Sequence, residues 1–134
     1  MPYPYTKINE EHISYLKSVT DPSRVYEKDQ IQEEYYHDEM PEYGVYPPDV
    51  MVEAISREEV SAIMKFAYEN NIPVVARGAG TGLAGGATAK YGGILLSLMK
   101  MNKIIKIDME NLSITVQPGA LLSEVAAAAA EKGL

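Results

Sequence analysis

Glycine placement constrains this chain more than any other feature. Ten glycines occur in 134 residues; seven fall between Gly78 and Gly93, and residues 1–43 contain none. Glycine serves where the backbone takes a positive φ or comes closer to another group than a side chain would allow. Such crowding singles out one loop as the place to look for a ligand.

Regular elements surround that loop. Val50–Ile55 is an apolar run rich in β-branched residues and bounded by turn residues, which predicts a buried strand. Ser56 predicts a helix N-cap, with Glu59 three residues on completing a capping box. That helix carries Val60, Ile63, Met64, Ala67 and Tyr68 on one face and ends at Asn70-Asn71. Pro73–Ala76 predicts a second strand, making a βαβ unit with a parallel pair. Arg77–Gly93 is the glycine-rich loop and Ile94–Leu98 a third strand. Ile104–Asp108 and Ser113–Gln117 alternate apolar and polar residues about Met109-Glu110-Asn111-Leu112, the pattern of an antiparallel hairpin. Leu121–Lys132 predicts a final helix, with Leu121, Leu122, Val125 and Ala129 inward and Gly133 as its stop.

Residues before Val50 are polar, tyrosine-rich and punctuated by proline. Ile8, Ile13, Leu16 and Val19 predict one face of a short helix capped by Asn9. Asp21-Pro22-Ser23 reads as the turn that stops it, and Ile31–Tyr36 as another short helix or turn. Pro47-Pro48-Asp49 marks a boundary, dividing the chain into a helical or irregular segment (1–47) and a main unit (48–134). The fold class is α/β, or α+β counting the hairpin: a small parallel βαβ sheet flanked by helices, then the start of an antiparallel subdomain.

Composition removes several functions. With 46% apolar and 23% charged residues the chain reads as one globular domain. Twelve Lys and Arg against nineteen Asp and Glu give a net charge of −7, which argues against nucleic-acid binding. The ten tyrosines, with no interleaved cations, read as packing. The absence of cysteine excludes disulfides and thiol chemistry and fits a reducing compartment. Val125–Ala130, the longest purely apolar stretch, is far short of the ~20 residues of a membrane span. Met1–Tyr5 has no basic or apolar leader pattern, so a cytoplasmic location is expected.

Gly80-x-Gly82-x-x-Gly85 matches the dinucleotide fingerprint literally, but that motif must open a helix of several turns. Here Gly86 is followed by Ala-Thr-Ala-Lys-Tyr-Gly-Gly and then strand residues, which leaves no room for it. A Walker loop is excluded because no Lys-Ser/Thr follows at the required spacing. What remains is a loop whose successive amides can face an anion beside Arg77; such a nest binds pyrophosphate without a net positive protein. A glycine-rich surface loop that binds nothing, and a different nucleotide on the same loop, are the alternatives. His12 reads as solvated and His37 as a structural or surface residue beside Asp38 and Glu39. No catalytic or metal-binding residue is assigned.

Pro73–Thr88 resembles the pyrophosphate-binding loop of FAD-linked oxidases of the vanillyl-alcohol oxidase / p-cresol methylhydroxylase type, in the branch of glycolate oxidase and the D-lactate dehydrogenases. Pro48–Glu53, Ser56–Asn70, Gly92–Lys103 and Ser113–Gly119 fit the order of its flanking elements, so the likeness runs from about Tyr35 to Leu134. It implies a PCMH-type FAD-binding domain: the first subdomain and the opening of the second. Ala76, Arg77, Gly78, Ala79, Gly80, Thr81 and Gly82, with Gly85 and Gly86, would wrap the FAD pyrophosphate mainly through backbone amides. Val116, Gln117, Pro118 and Gly119 would lie near the adenosine. Thr81 stands where several members carry a flavin-linking histidine, which implies non-covalent FAD.

Family members run to several hundred residues and carry their catalytic groups in a later substrate domain. The resemblance therefore implies the cofactor-holding part of a 2-hydroxy-acid dehydrogenase or oxidase, inactive by itself, in which hydride passes from the substrate α-carbon to FAD. The alternative is a truncated or split-gene module without catalysis. An interrupted domain exposes apolar faces, and these would seek a second copy or a complementary chain.

Overall fold

A computed structural model describes residues 4–134; Met1–Tyr3, on which part of the leader reading falls, lie outside the described residues. Three helices and six strands follow in the order α1 (Glu10–Val19), β1 (Val25–Glu27), β2 (Val50–Glu53), α2 (Arg57–Glu69), β3 (Val74–Arg77), β4 (Ile94–Ser97), β5 (Ile104–Asp108), β6 (Ser113–Val116) and α3 (Leu122–Ala130). Short 3-10 turns at Lys28–Gln30, Glu33–Tyr36 and Pro41–Tyr43 fill the stretch between β1 and β2.

Sheet order is β1-β2-β4-β3, with β5 and β6 forming a separate antiparallel hairpin. The sequence-predicted βαβ unit is thus corrected in one respect. β2 and β3 run parallel but do not touch, because β4 inserts between them and pairs parallel with both. All four residues of β4 are buried, as expected of a strand covered on both faces. The short β1, unmarked by any alternation, adds antiparallel to β2 through Val25↔Val52.

The two sheet faces carry different covers. Val50, Val52, Ile94 and Leu96 pack with Leu16 of α1 and with Ile63, Phe66 and Ala67 of α2. Met51 and Leu95 point the other way, against Ile31 and the rings of Tyr26, Tyr35 and Tyr36. The 3-10 stretch is therefore the second layer of the sheet.

Both helix caps near the first core form as the sequence indicates, with differences of detail. Asn9 caps α1, and His12 returns the bond: its Nδ1 accepts from the Asn9 N–H at 3.3 Å, while its ring meets Phe66 edge-on. His12 is thus a capping residue in a half-exposed position. At the end of α2, Asn71 takes a φ of 54° and Ile72 N–H reaches Ala67 O at 2.9 Å, a Schellman turn built on asparagine. The buried face of α2 is Ile63, Phe66 and Ala67, whereas Met64 is exposed and Tyr68 is 88% exposed. Phe66, outside the predicted stripe, stacks on Tyr15 of α1 at 4.3 Å, while Ile63 and Ala67 of that stripe are buried.

The hairpin turn is held by Asp108. Its carboxylate accepts from Lys106 Nζ and from the N–H groups of Glu110 and Asn111, which keeps its pKa down at about 2. Helix α3 closes with Gly133 at a φ of 78°, Leu134 N–H donating to Ala129 O and Gly133 N–H to Ala130 O. Its expected inward face is a correction: Leu121 and Leu122 are exposed and no residue of α3 is buried.

Ser56 caps α2 through Glu59 N–H, but the Glu59 side chain does not close the box onto Ser56. It takes the Ile55 N–H at 2.9 Å and both terminal nitrogens of Arg24, at 2.8 and 2.7 Å; Arg24 also donates to Glu53 O. Both side chains are only 14% exposed. The Arg24 hydrogen bonds hold the Glu59 carboxyl below its ordinary 4.5, against burial, which pushes it up. A depressed folded-state value means the stabilisation is fully present above about pH 4.5 and drains away as pH falls through the folded value. Glu59→Gln is expected to lower stability by about 3 kcal/mol at pH 7, measured by urea unfolding. The deficit should shrink as pH is taken from 5 toward 3; a deficit constant with pH would show that the charge pair is not its source.

Candidate functional site

Strands β2, β4 and β3 end side by side at Glu53, Ser97 and Arg77, and the glycine-rich loop leaves directly from the end of β3. Ligands of α/β sheets gather outside the carboxyl ends of parallel strands. A cleft of about 310 Å³ opens there, bounded by Arg77, Gly78, Ala79 and Gly80 on one side and by Glu34, Tyr35, His37 and Glu39 on the other, with Met99 at its edge.

Arg77 holds these walls together. It is 6% exposed, and its guanidinium donates to Glu34 O and His37 O at 2.8 Å each and to Ala87 O at 3.3 Å. The Tyr35 ring lies 5.4 Å from its Cζ. Burial pulls its pKa below the ordinary value, opposed by Tyr35, Asp38 and Glu34. Three of its five N–H donors are thus engaged by backbone carbonyls, which anchors the loop to the wall opposite.

The loop is tied down by its carbonyls. Gly82 O accepts from Glu39 N–H at 3.0 Å, Gly85 O from Thr88 N–H, and Ala87 O from Arg77. None of the N–H groups of residues 78–87 donates to another described residue. Most of these residues are exposed, so this one-sided use of the loop leaves a row of amides open to water or to a ligand.

The glycines divide accordingly. Gly80 and Gly85 have φ near +70°, and a Cβ on them would strike the Arg77 guanidinium or the Tyr43 ring; Gly92 and Gly93 meet Asp49 and Pro73 in the same way. Those four are needed by the fold. Gly78, Gly82 and Gly86 have no positive φ, and a Cβ there would meet at most Pro118 O at 4.0 Å, Asp38 Oδ2 at 3.8 Å, and nothing, respectively. The chain itself does not require those three to be glycine.

Ala76 is exposed on β3 and Thr81 is exposed in the loop. Val116–Gly119 leaves β6 beside the same loop, since Pro118 O is the atom nearest a Gly78 Cβ. Gly119 is buried against Leu98 and Met101 backbone and donates to Met101 O at 2.7 Å. Gln117 spends its side chain on Lys103 N–H, and its own N–H donates to Lys103 O while its C=O accepts from Ala120 N–H. The structure thus brings Gly78 and Pro118 together, while Gly119 packs against Leu98, Met99 and Met101. It adds Tyr35, His37, Asp38, Glu39 and Met99, which no motif singles out. His37 faces the cleft with its Nδ1 3.0 Å from Asp38 O. Among the described residues no three His, Cys, Asp or Glu side chains gather as a metal site, and no helix is long and apolar enough to cross a membrane. No helix follows Gly86, only turns leading to β4, which removes the Rossmann reading on structural grounds.

Comparison with known proteins fits this geometry. The chain is 47% identical over 132 residues to D-lactate dehydrogenase of Anaerostipes hadrus, covering 98% of this chain and 28% of that protein. It is 39% identical over 100 residues to glycolate oxidase subunit GlcD of Bacillus subtilis (strain 168), covering 75% and 21%. The chain thus spans about a quarter of the length of these relatives. Among solved structures, p-cresol methylhydroxylase with substrate bound superposes with a TM-score of 0.76 at 28% identity, over 91% of this chain and 24% of that one. Alkyldihydroxyacetonephosphate synthase superposes at 0.80 with 18% identity, over 98% and 26%, a likeness of fold alone. The architecture is that of a PCMH-type FAD-binding domain. Residues 48–134 match the family described as FAD binding domain, and the chain belongs to that family, with FAD as its cofactor.

Proposed function

We propose that the chain is the FAD-holding portion of a flavin-dependent dehydrogenase or oxidase acting on a 2-hydroxy acid of the D-lactate or glycolate type. The observation that carries this is the loop 78–87, whose carbonyls are anchored to the chain while its N–H groups are not. A row of unengaged amides is what a pyrophosphate needs, and it works in a chain of net charge −7 because the dipoles act locally. The open space at Gly78, Gly82 and Gly86 fits the close approach of that group.

In this reading Ala76–Gly82, Gly85 and Gly86 hold the pyrophosphate and Val116–Gly119 borders the adenosine. Bound FAD supplies a two-electron acceptor; the residues of this chain bind and orient it. Residues 48–134 form the cofactor unit and 1–47 its support, including the Tyr35–Glu39 wall. Thr81 offers no imidazole and the chain has no cysteine, so the flavin is held non-covalently. Neither histidine is placed as a base, since His12 caps α1 and His37 lies against Asp38 O. The 134-residue chain is therefore a binding unit without turnover. Hydroxy-acid specificity rests on the two relatives, a D-lactate dehydrogenase and a glycolate oxidase subunit.

A second reading keeps the same site and adds association with a second copy or a complementary chain. It rests on the exposed Ile105, Leu112, Leu121 and Leu122 of the hairpin and α3, an apolar surface of the kind that recruits partners. Light scattering tests it: a monomer across a hundredfold concentration range, with no binding of apolar dye, would remove it.

Titration of the chain with FAD, followed by flavin fluorescence, is expected to saturate and to be reversed by ADP; no saturable binding would overturn the main reading. Gly86→Leu should leave the unfolding free energy within about 0.5 kcal/mol, yet weaken FAD at least tenfold, about 1.4 kcal/mol. Acid precipitation of the loaded chain should leave all flavin in the supernatant, and D-lactate or glycolate should not bleach its absorbance. Flavin retained in the pellet would show a covalent bond, and bleaching would show that the chain turns over by itself.

A further inference from the structure

Asp38 is 4% exposed, and only one of its carboxylate oxygens is used. Oδ1 accepts from Met40 N–H at 3.0 Å, while Oδ2, fully buried, accepts from no described residue. Oδ2 is also the atom nearest the missing side chain of Gly82, 3.8 Å from where a Cβ would stand. The neighbouring Glu39 N–H holds Gly82 O at 3.0 Å, so Asp38 and the Gly82 end of the loop are fixed to one another. A buried carboxylate oxygen without a donor is costly, and Gly82 is one of the three glycines that the fold itself does not need.

A carboxylate repels phosphate and accepts from O–H and N–H. Pro118 and the 116–119 turn stand at Gly78, where the loop begins, and Asp38 stands four residues on, at Gly82. With the pyrophosphate along the loop and the adenosine at the 116–119 end, as in the reading above on which this inference rests, the donors that reach Asp38 come from the other half of the molecule. We propose that Asp38, through Oδ2, accepts a hydrogen bond from a ribityl hydroxyl or the imide N–H of the flavin half of FAD, so that this residue upstream of the family-matched region selects FAD over ADP.

Asp38→Asn keeps an acceptor for Met40 N–H and replaces the Oδ2 acceptor by an NH₂ donor. The test measures FAD by fluorescence titration and ADP by calorimetry on the full chain, with a circular-dichroism melt of each apo variant. Asp38→Asn is expected to weaken FAD at least tenfold and ADP less than threefold. Equal losses for both ligands, or no loss for either, overturn the assignment. Gly82→Ala is the second variant, since its methyl meets only ordinary contact with Oδ2 in the folded chain; it should also raise the FAD/ADP dissociation-constant ratio, and an unchanged ratio overturns the assignment even if Asp38→Asn fails to fold. Repeating the titration in EDTA separates a bridging cation: a difference between wild type and Asp38→Asn that vanishes in EDTA also overturns it. Wild-type chain that binds no FAD overturns both this and the reading it rests on, whereas wild type that binds FAD no better than Asp38→Asn does overturns this alone.

Discussion

The guanidinium of Arg77 is a buried cation whose hydrogen bonds all go to backbone carbonyls: two in the 3-10 stretch ahead of β2 and one at the far end of the glycine-rich loop. Taking such a charge out of water costs several kcal/mol, offset here by charge-assisted hydrogen bonds, by the Tyr35 ring 5.4 Å away and by the field of Asp38 and Glu34. The geometry demands arginine, because a lysine ammonium cannot span three carbonyls from one rigid plane. Gly80 follows from the same constraint, since any side chain there would enter the guanidinium. Arg77 ties the two walls of the cleft together, donating to Glu34 O and His37 O on one side and to Ala87 O on the other.

That arrangement shows what a sequence can and cannot reveal. The strands β2, β3 and β4, helices α1 and α2, the hairpin and the asparagine stop of α2 are written in local patterns of apolar residues, caps and turns, and these patterns were legible. The insertion of β4 between β2 and β3 was not, because pairing depends on which strand is best buried on both faces, a property of the assembled sheet. Glu59 was legible as a cap-box residue but not as the partner of Arg24, thirty-five residues away. The burial of Phe66 was hidden for the same reason: Tyr15, which stacks on it, lies on a different helix.

The site was half legible. A cluster of glycines announces a close approach without saying to what, and four of the seven turn out to approach Arg77, Tyr43, Asp49 and Pro73 within the same chain. Only a three-dimensional test of what a Cβ would meet separates those from Gly78, Gly82 and Gly86. Asp38 could not be found from sequence, because in Tyr35-Tyr36-His37-Asp38-Glu39 it reads as one more carboxylate on an acidic face. Burial to 4% is what changes its meaning, with Met40 N–H on one oxygen and Gly82 beside the other.

An acidic protein that binds an anion looks paradoxical only if charge is summed over the whole surface. Screening confines exposed charges to about 8–10 Å at physiological ionic strength, so the carboxylates that set the net charge of −7 have little influence at the loop unless they stand beside it. Three do: Glu34, Asp38 and Glu39 share the wall opposite the amides. Glu34 contributes its carbonyl to Arg77, so its backbone strengthens the clamp whatever its side chain does. Glu39 contributes an N–H to Gly82 O, again through the backbone. Asp38 alone turns its side chain inward, beside Gly82. Unengaged N–H groups and a buried carboxylate oxygen thus meet at Gly82. In the proposed reading, a ligand with an anionic middle and a hydroxyl- and N–H-bearing end would set its anionic part against the unengaged amides and its donor-bearing part toward Asp38.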